Sequence, residues 1–316
     1  MGKTQRNSSI ELLRITSMLA IITYHFIARQ YGLYVIGNDR LEQSSLLQEL
    51  ITFQIGGLGV PCFMFISGYY GIKWRKDRFV DMIAQGAFYS ATNIIGLYFL
   101  FKTFNYKHLC FINEWWFLQG YTIVYLLSPG LNYIVETFNS KKLLYLIAFL
   151  WFVLFSSLIK QQELGGFVLL ATIYFTARYM KLHIKDSVKQ KSQLFFLILL
   201  LLQFGLTYLS FYTCHIGFKP LIMNYSNPIN TLTVGFLVIS TERIIFHSRI
   251  INYFASSCLG VYLLSESDLG KLFFLHFFPK DFNIIFFIFT SLIVFVFCTL
   301  VDKIRNLMLY KIINNG

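Results

Sequence analysis

Residues 10–28 read IELLRITSMLAIITYHFIA, and this stretch decides the fold. Apart from Glu11, Arg14 and His25 it holds no Asp, Glu, Lys, Arg or His, and a bilayer is crossed by about 20 mainly apolar residues of helix. No small-residue cleavage site follows, so the segment reads as a retained membrane span and not as a removed signal peptide. Apolar runs of the same kind lie at 52–72, 79–101, 115–136, 142–159, 164–180 and 193–213. Pro228, directly after Asn227, opens an eighth that is interrupted at Thr241-Glu242-Arg243; 250–265 is a short ninth and 284–301 a long, clean tenth. The expected fold class is all-α: a polytopic membrane helical bundle of about ten transmembrane helices. No repeat, low-complexity tract or long linker divides 1–316, which reads as one integral membrane domain.

Composition agrees. Of 316 residues, 56% are hydrophobic and 13% charged, with a mean hydropathy of +0.59, whereas soluble domains carry about 25% charge. With 35 Phe and 20 Tyr, too few polar side chains remain to coat a water-facing surface, so lipid is the main solvent and an ordinary soluble fold is excluded. The net charge of +12 would suggest nucleic acid in a soluble protein. Here position outweighs sum: 18 Lys and Arg fall on segments sharing a side with the N-terminus and 8 on the opposite side, with Arg14 inside the first span. The positive-inside rule then puts both termini in the cytoplasm. The expected location is a cell membrane, multi-pass, of the bacterial inner or plasma kind, with membrane lipid as a partner and no nucleic acid. Cys62, Cys110, Cys214, Cys258 and Cys298 are widely spaced, without CxxC or Cys/His ligand spacing, so neither a metal site nor thiol redox chemistry is expected.

Ionisable groups inside a span cost a few kcal/mol each on insertion scales, which makes each a functional candidate. Arg14 and His25 are eleven positions apart and return to nearly one helix face, separated by roughly 16 Å of rise. Glu11 lies one turn below Arg14 on that face. The plainer reading of Glu11 and Arg14 is an i,i+3 ion pair with Arg14 reaching toward headgroups, and that of His25 a hydrogen-bonded histidine near the outer interface, a few residues before Arg29. Imidazole is also a general base near neutral pH. A second feature runs from Gly59 to Gly71. Ser67 and Gly68, with Tyr69 beside them, allow close helix approach in a bilayer. Lys73-Trp74-Arg75-Lys76-Asp77-Arg78 follows at once, the densest charge cluster in the chain. It reads either as a topogenic signal or as a phosphate site, since Arg75 and Arg78, with Lys73, suit capture of the anionic end of a nucleotide or coenzyme A.

In order, the chain carries Arg14, ten residues and His25, then Phe63-x-Phe65-Ile66-Ser67-Gly68-Tyr69, then Arg75-x-x-Arg78. Trp116-Phe117-Leu118 leading to Tyr125 and Pro129 follows, and Leu259-Gly260-Val261-Tyr262-Leu263-Leu264 comes late. This succession, from residue 10 to about 266, resembles the acyltransferase-3 family of multi-span membrane acyltransferases. One departure is that many relatives have a histidine after the Tyr-Leu segment, where Ser265-Glu266 stands here.

The resemblance implies a membrane O-acyltransferase, most simply an acetyl-CoA-dependent O-acetyltransferase. It would move an acyl group from cytoplasmic acyl-CoA to a hydroxyl of an extracytoplasmic or lipid-linked glycan. It further implies His25 as general base or covalent carrier, Arg14 as a donor-positioning group, and Arg75, Arg78 and Lys73 as acyl-CoA contacts. Acyl-CoA is then a donor substrate, with no permanently bound cofactor. A carboxylate orienting His25 is desirable; Glu11 is too far down the helix, and among Glu114, Glu266 and Asp268 the best placed is Glu266. Trp115 and Trp116 read as interfacial anchors or as a platform for a sugar ring. His108, His183, His215, His247 and His276 have no paired ligand spacing and no assigned role. From another class, a glycan flippase or transporter would also use wet polar residues between helices, but Gly56-Gly57 and Gly165-Gly166 are not symmetrically placed broken-helix signals. Acceptor identity and oligomeric state have no signature in the chain.

Overall fold

The structure, a computed structural model, describes residues 6–31, 54, 56–103, 114–159, 166–212, 227–277 and 284–315. Cys110, Cys214, His108, His215 and Gly165, with Lys3, Arg40, Lys107, Lys160, Lys219 and Lys280 from the charge count, lie outside them. Every described regular element is helical. In chain order these are α1 (Ser8–Tyr31), α2 (Gly56–Tyr70), α3 (Lys76–Phe101), α4 (Trp116–Thr137), α5 (Ser140–Ile159) and α6 (Gly166–His183). They continue as α7 (Asp186–Gln190), α8 (Ser192–Tyr212), α9 (Pro228–Glu242), α10 (Arg249–Ala255), α11 (Cys258–Ser265), α12 (Asp268–Phe277) and α13 (Ile284–Asn315).

By length and composition, three described helices are apolar enough to cross a membrane: Ser8–Arg29 of α1, Ser192–Tyr212 of α8 and Ile285–Met308 of α13. The environment of α8 identifies its solvent. It buries Gln203, Thr207 and Ser210 and exposes Leu197, Ile198, Leu201 and Leu209, an inversion that water would oppose and hydrocarbon favours. Gln203 Nε2 donates to Asn230 Oδ1 at 2.5 Å, and Gln54 Nε2 donates to the Gln203 carbonyl and to Thr207 Oγ1, so Gln203 and Thr207 find polar partners inside the bundle.

The helix ends follow local chemistry. The Asn227 side chain accepts from Ile229 N at 2.9 Å with Pro228 in the first turn, which starts α9 where the sequence placed it. Gly71, at φ +80°, ends α2 in the left-handed region that a side chain disfavours. The short ninth span is corrected: 250–265 is not one helix. Ser256 N and Ser257 N turn back to Asn252 O and Phe254 O, closing α10, and Val261 N to Ser257 O opens α11. Lys303 Nζ donates to Ser256 Oγ at 2.6 Å and holds that corner against α13.

α1 is central, packing on α2 and α9 through α13. A Cβ on Gly59 would sit 2.5 Å from Ile21 Cγ1, and one on Gly56 2.3 Å from the Tyr24 ring. Small residues let α1 and α2 approach, the packing device of helices in lipid. Gly68 does the same against Ala177 and Tyr174 of α6.

Candidate functional site

α1 carries its polar stripe into the bundle. Glu11 is buried, and Arg14 Nη1 donates to both its oxygens at 3.1 and 3.2 Å, so the i,i+3 pair forms. The pair also walls a cavity of about 330 Å³. Arg6, Glu11, Arg14 and Ile21 line it from α1 and the residues before it, Ser67 from α2, and Tyr121 from α4. The α11 wall includes Cys258 and Tyr262. Along α1 the lining runs from Glu11 to Ile21, ten residues or roughly 15 Å of rise. His25 is one turn beyond Ile21 and does not itself line the cavity.

At that far end the helices bring together groups distant in sequence. His25 Nε2 lies 3.3 Å from Glu266 Oε2, and Arg29 Nη2 donates to the same oxygen. Glu266 stands just past the end of α11, with its N–H on the Tyr262 carbonyl, so the cavity-lining Tyr262 and the carboxylate are one turn apart. All three side chains are largely buried, at 16, 12 and 7% exposure for His25, Arg29 and Glu266. Thr23 Oγ1 and Ser291 Oγ, 2.9 Å apart, pin α1 to α13 at this level. Beside them, Asn93 Nδ2 donates to Glu114 while its Oδ1 accepts from Leu269 N at 2.8 Å, joining α3, the start of α4 and α12. Burial raises the Glu114 carboxyl to about 7.

The remaining candidates scatter. Ser67 lines the cavity and donates to the Phe63 carbonyl. Gly68 is the α2–α6 contact. Tyr69 donates to Glu242 at 2.6 Å, where Lys181 Nζ also bonds, 4.4 Å over the Tyr69 ring. Lys73, Arg75 and Arg78 are exposed and do not line the cavity. Arg75 pairs with Asp77, and that hydrogen bond holds the exposed carboxyl below and the guanidinium above their ordinary values. The loop is nevertheless fixed to the cavity wall: Tyr125 OH accepts from Arg75 N and donates to the carbonyls of Lys73 and Arg75, and Tyr125 lies 6.4 Å ring to ring from the cavity-lining Tyr121. Trp115 is buried at 2% exposure, while Trp116 is exposed at 38%. Only Trp116 therefore offers a ring face outward. Among the described residues no cluster of three His, Cys, Asp or Glu is placed to hold a metal.

Two residues of the site, Arg29 and Arg6, enter the sequence only through the charge balance of the two sides. Arg29 had a signal, since it follows His25 by four and shares its face. Arg6 had none, because its place at the cavity mouth depends on α10 and α11.

No curated protein and no solved structure matches the chain. A family model described as an acyltransferase domain, that of acyltransferase-3, matches residues 7–303. That match spans the polar stripe of α1, the Arg75–Arg78 loop and the Glu266 turn alike, and the chain belongs to the acyltransferase-3 family.

Proposed function

We propose that this protein is a membrane O-acyltransferase that moves an acyl group, acetyl in the simplest case, from cytoplasmic acyl-CoA to a hydroxyl of an extracytoplasmic or lipid-linked glycan. One observation carries the reading: a cavity walled by Arg6, Glu11 and Arg14 ends at Ile21, one helical turn from a histidine backed by a carboxylate. The proposed setting is a multi-pass domain of about ten spans with both termini cytoplasmic. Supporting that orientation, Asn7, Lys181, Arg243 and Lys303 all bond at one end of the bundle, with Glu242, Glu242, Gln190 and Ser256 respectively.

The chemistry follows from the contact. With Nε2–H directed at Glu266, the neutral imidazole of His25 carries its lone pair on Nδ1. The acceptor hydroxyl gives its proton to Nδ1 as its oxygen forms a bond to the thioester carbonyl carbon. The carbon–sulfur bond then breaks, and sulfur leaves as thiolate and takes the proton from imidazolium, giving CoA thiol and an ester. Glu266 stabilises the imidazolium in between. In the covalent variant Nδ1 attacks first and the acyl group passes from imidazole to the hydroxyl. The reaction calls for acyl-CoA as donor substrate and no resident cofactor. Arg14, oriented by Glu11, lines the path of the donor arm. Lys73, Arg75 and Arg78 offer charge-assisted contacts to the phosphates; Asp77 shares Arg75, so Arg78 and Lys73 make the first contact. Trp116 supplies the acceptor-side ring.

The test uses the protein in nanodiscs with acetyl-CoA and a crude extract of surface glycan, following CoA thiol release and the mass increase of the glycan by one acetyl group. His25→Gln is expected to lower transfer by about 10²–10⁴ with insertion and donor affinity retained. Near-full turnover in that variant would make the imidazole structural and this mechanism wrong.

A further inference from the structure

Among the described residues Arg29 is the one cation that touches the carboxylate bound to His25, and its two terminal nitrogens are used unequally. Nη2 donates to Glu266 Oε2, the same oxygen that lies 3.3 Å from His25 Nε2. Nη1 is buried and has no hydrogen-bond partner among the described residues. A buried guanidinium N–H left unbonded is costly, an arrangement that is offset when the missing acceptor arrives with the substrate. His25 and Arg29 are four residues apart on α1, so both project from one face. The guanidinium is planar and rigid: fixing Nη2 on Glu266 fixes the direction of Nη1 as well.

We propose that Arg29 is a catalytic residue of this site, donating from Nη1 to the carbonyl oxygen of the transferring acyl group while Nη2 holds Glu266 against His25. The inference rests on the acyl-transfer reading above. When the acceptor oxygen bonds to the carbonyl carbon, the carbon–oxygen π pair moves onto the carbonyl oxygen. That oxygen carries a full negative charge until the carbon–sulfur bond breaks and the pair returns. A donor already oriented and desolvated stabilises this charge more than it stabilises the neutral ground-state carbonyl, which lowers the barrier without tightening donor binding. Arg14 is a poor candidate for the same task, since it lies roughly 16 Å down the helix from His25 and its Nη1 is committed to Glu11.

The experiment compares Arg29→Lys, Arg29→Met, Glu266→Gln and the Arg29→Met/Glu266→Gln double variant in nanodiscs, measuring kcat and KM for acetyl-CoA with the same glycan extract. Arg29→Lys keeps one ammonium for Glu266 and cannot also reach the acyl oxygen, so it is expected to fold, keep KM and lose at least about tenfold in kcat. Losing the donor altogether is expected to cost about 10²–10³ in kcat. In the Glu266→Gln background, Arg29→Met is expected to remain at least about tenfold slower than Glu266→Gln alone. Equal rates for those two would reduce Arg29 to a positioning residue for Glu266 and overturn the proposal, as would full turnover by Arg29→Lys. A wild-type protein that neither released CoA thiol nor acylated the glycan would instead overturn the acyl-transfer reading, and this inference with it.

Discussion

A carboxyl group drawn out of water binds its proton more tightly, and Glu114 is held at about 7 by burial first, with Asp268 adding to the effect and Ser90, Asn93 and Lys271 opposing it. The consequence for stability has a definite sign. Below the ordinary glutamate range both folded and unfolded chains carry the proton and the group is neutral in its effect. Between that range and about 7 only the folded state holds it, so each rise in pH through this window removes stability, and above 7 the loss is complete. Glu114→Gln keeps the oxygen that accepts from Asn93 and cannot ionise. It is expected to raise the apparent stability of purified protein at pH 8 by about 1 kcal/mol, discounted for partial exposure, with the gain vanishing near pH 4.5. Equal thermal midpoints at pH 8 would show that the group titrates normally. Glu266 was legible as the best orienting carboxylate because a base wants an acidic neighbour and few acids stand on that side. Its contact with His25 at 3.3 Å was not legible, since 240 residues of chain separate them and only packing of α1 on α11 closes the distance.

At the scale of the helices, the site depends on how closely α1 and α2 approach. Gly59 faces Ile21, the last cavity-lining residue of α1 before His25, and a Cβ there would also lie 3.0 Å from the Ser17 carbonyl. Gly59→Ala is expected to cost about 1–3 kcal/mol by overpacking and to depress acyl transfer several-fold, because α1 must shift to admit the methyl group. Ile21→Ala in the same chain removes the clashing side chain and should restore part of the activity, measured as CoA thiol release. An undiminished Gly59→Ala variant would mean that the helices have slack. The Gly68 approach was readable as a small residue in an apolar run, whereas that of Gly59 came only with the packing of α1. The break at Ser256–Ser257 was not, because two serines in such a run are compatible with an unbroken helix. At the turn Lys303 of α13 bonds Ser256, and Ser257 N turns back to Phe254 O.

For the molecule as a whole, orientation decides which side delivers the donor. Asp77 lies in the first turn of α3 and Lys102 follows its last turn, and both are exposed. The helix has 26 residues, roughly 39 Å of rise, so in the multi-pass arrangement proposed above the two positions report opposite faces. In a chain with its own cysteines replaced, a membrane-impermeant thiol reagent applied from outside is expected to modify Lys102→Cys and to spare Asp77→Cys. Reversed labelling would overturn both the orientation and the cytoplasmic donor. Burial of Gln203 and Thr207 beneath a shell of exposed leucines on α8 is the whole-molecule counterpart of the composition. The sequence by itself determined the solvent, the helical class, most helix starts and the family, because hydropathy, capping and ordered motifs are local or follow chain order. Only the tertiary structure decided that Glu266 and Arg29 share one oxygen beside His25, that Arg6 stands at the cavity mouth, and that Trp115 is buried while Trp116 is exposed. Those contacts join segments far apart in the chain, and their distances are set by which helices pack together, a property that no local pattern encodes.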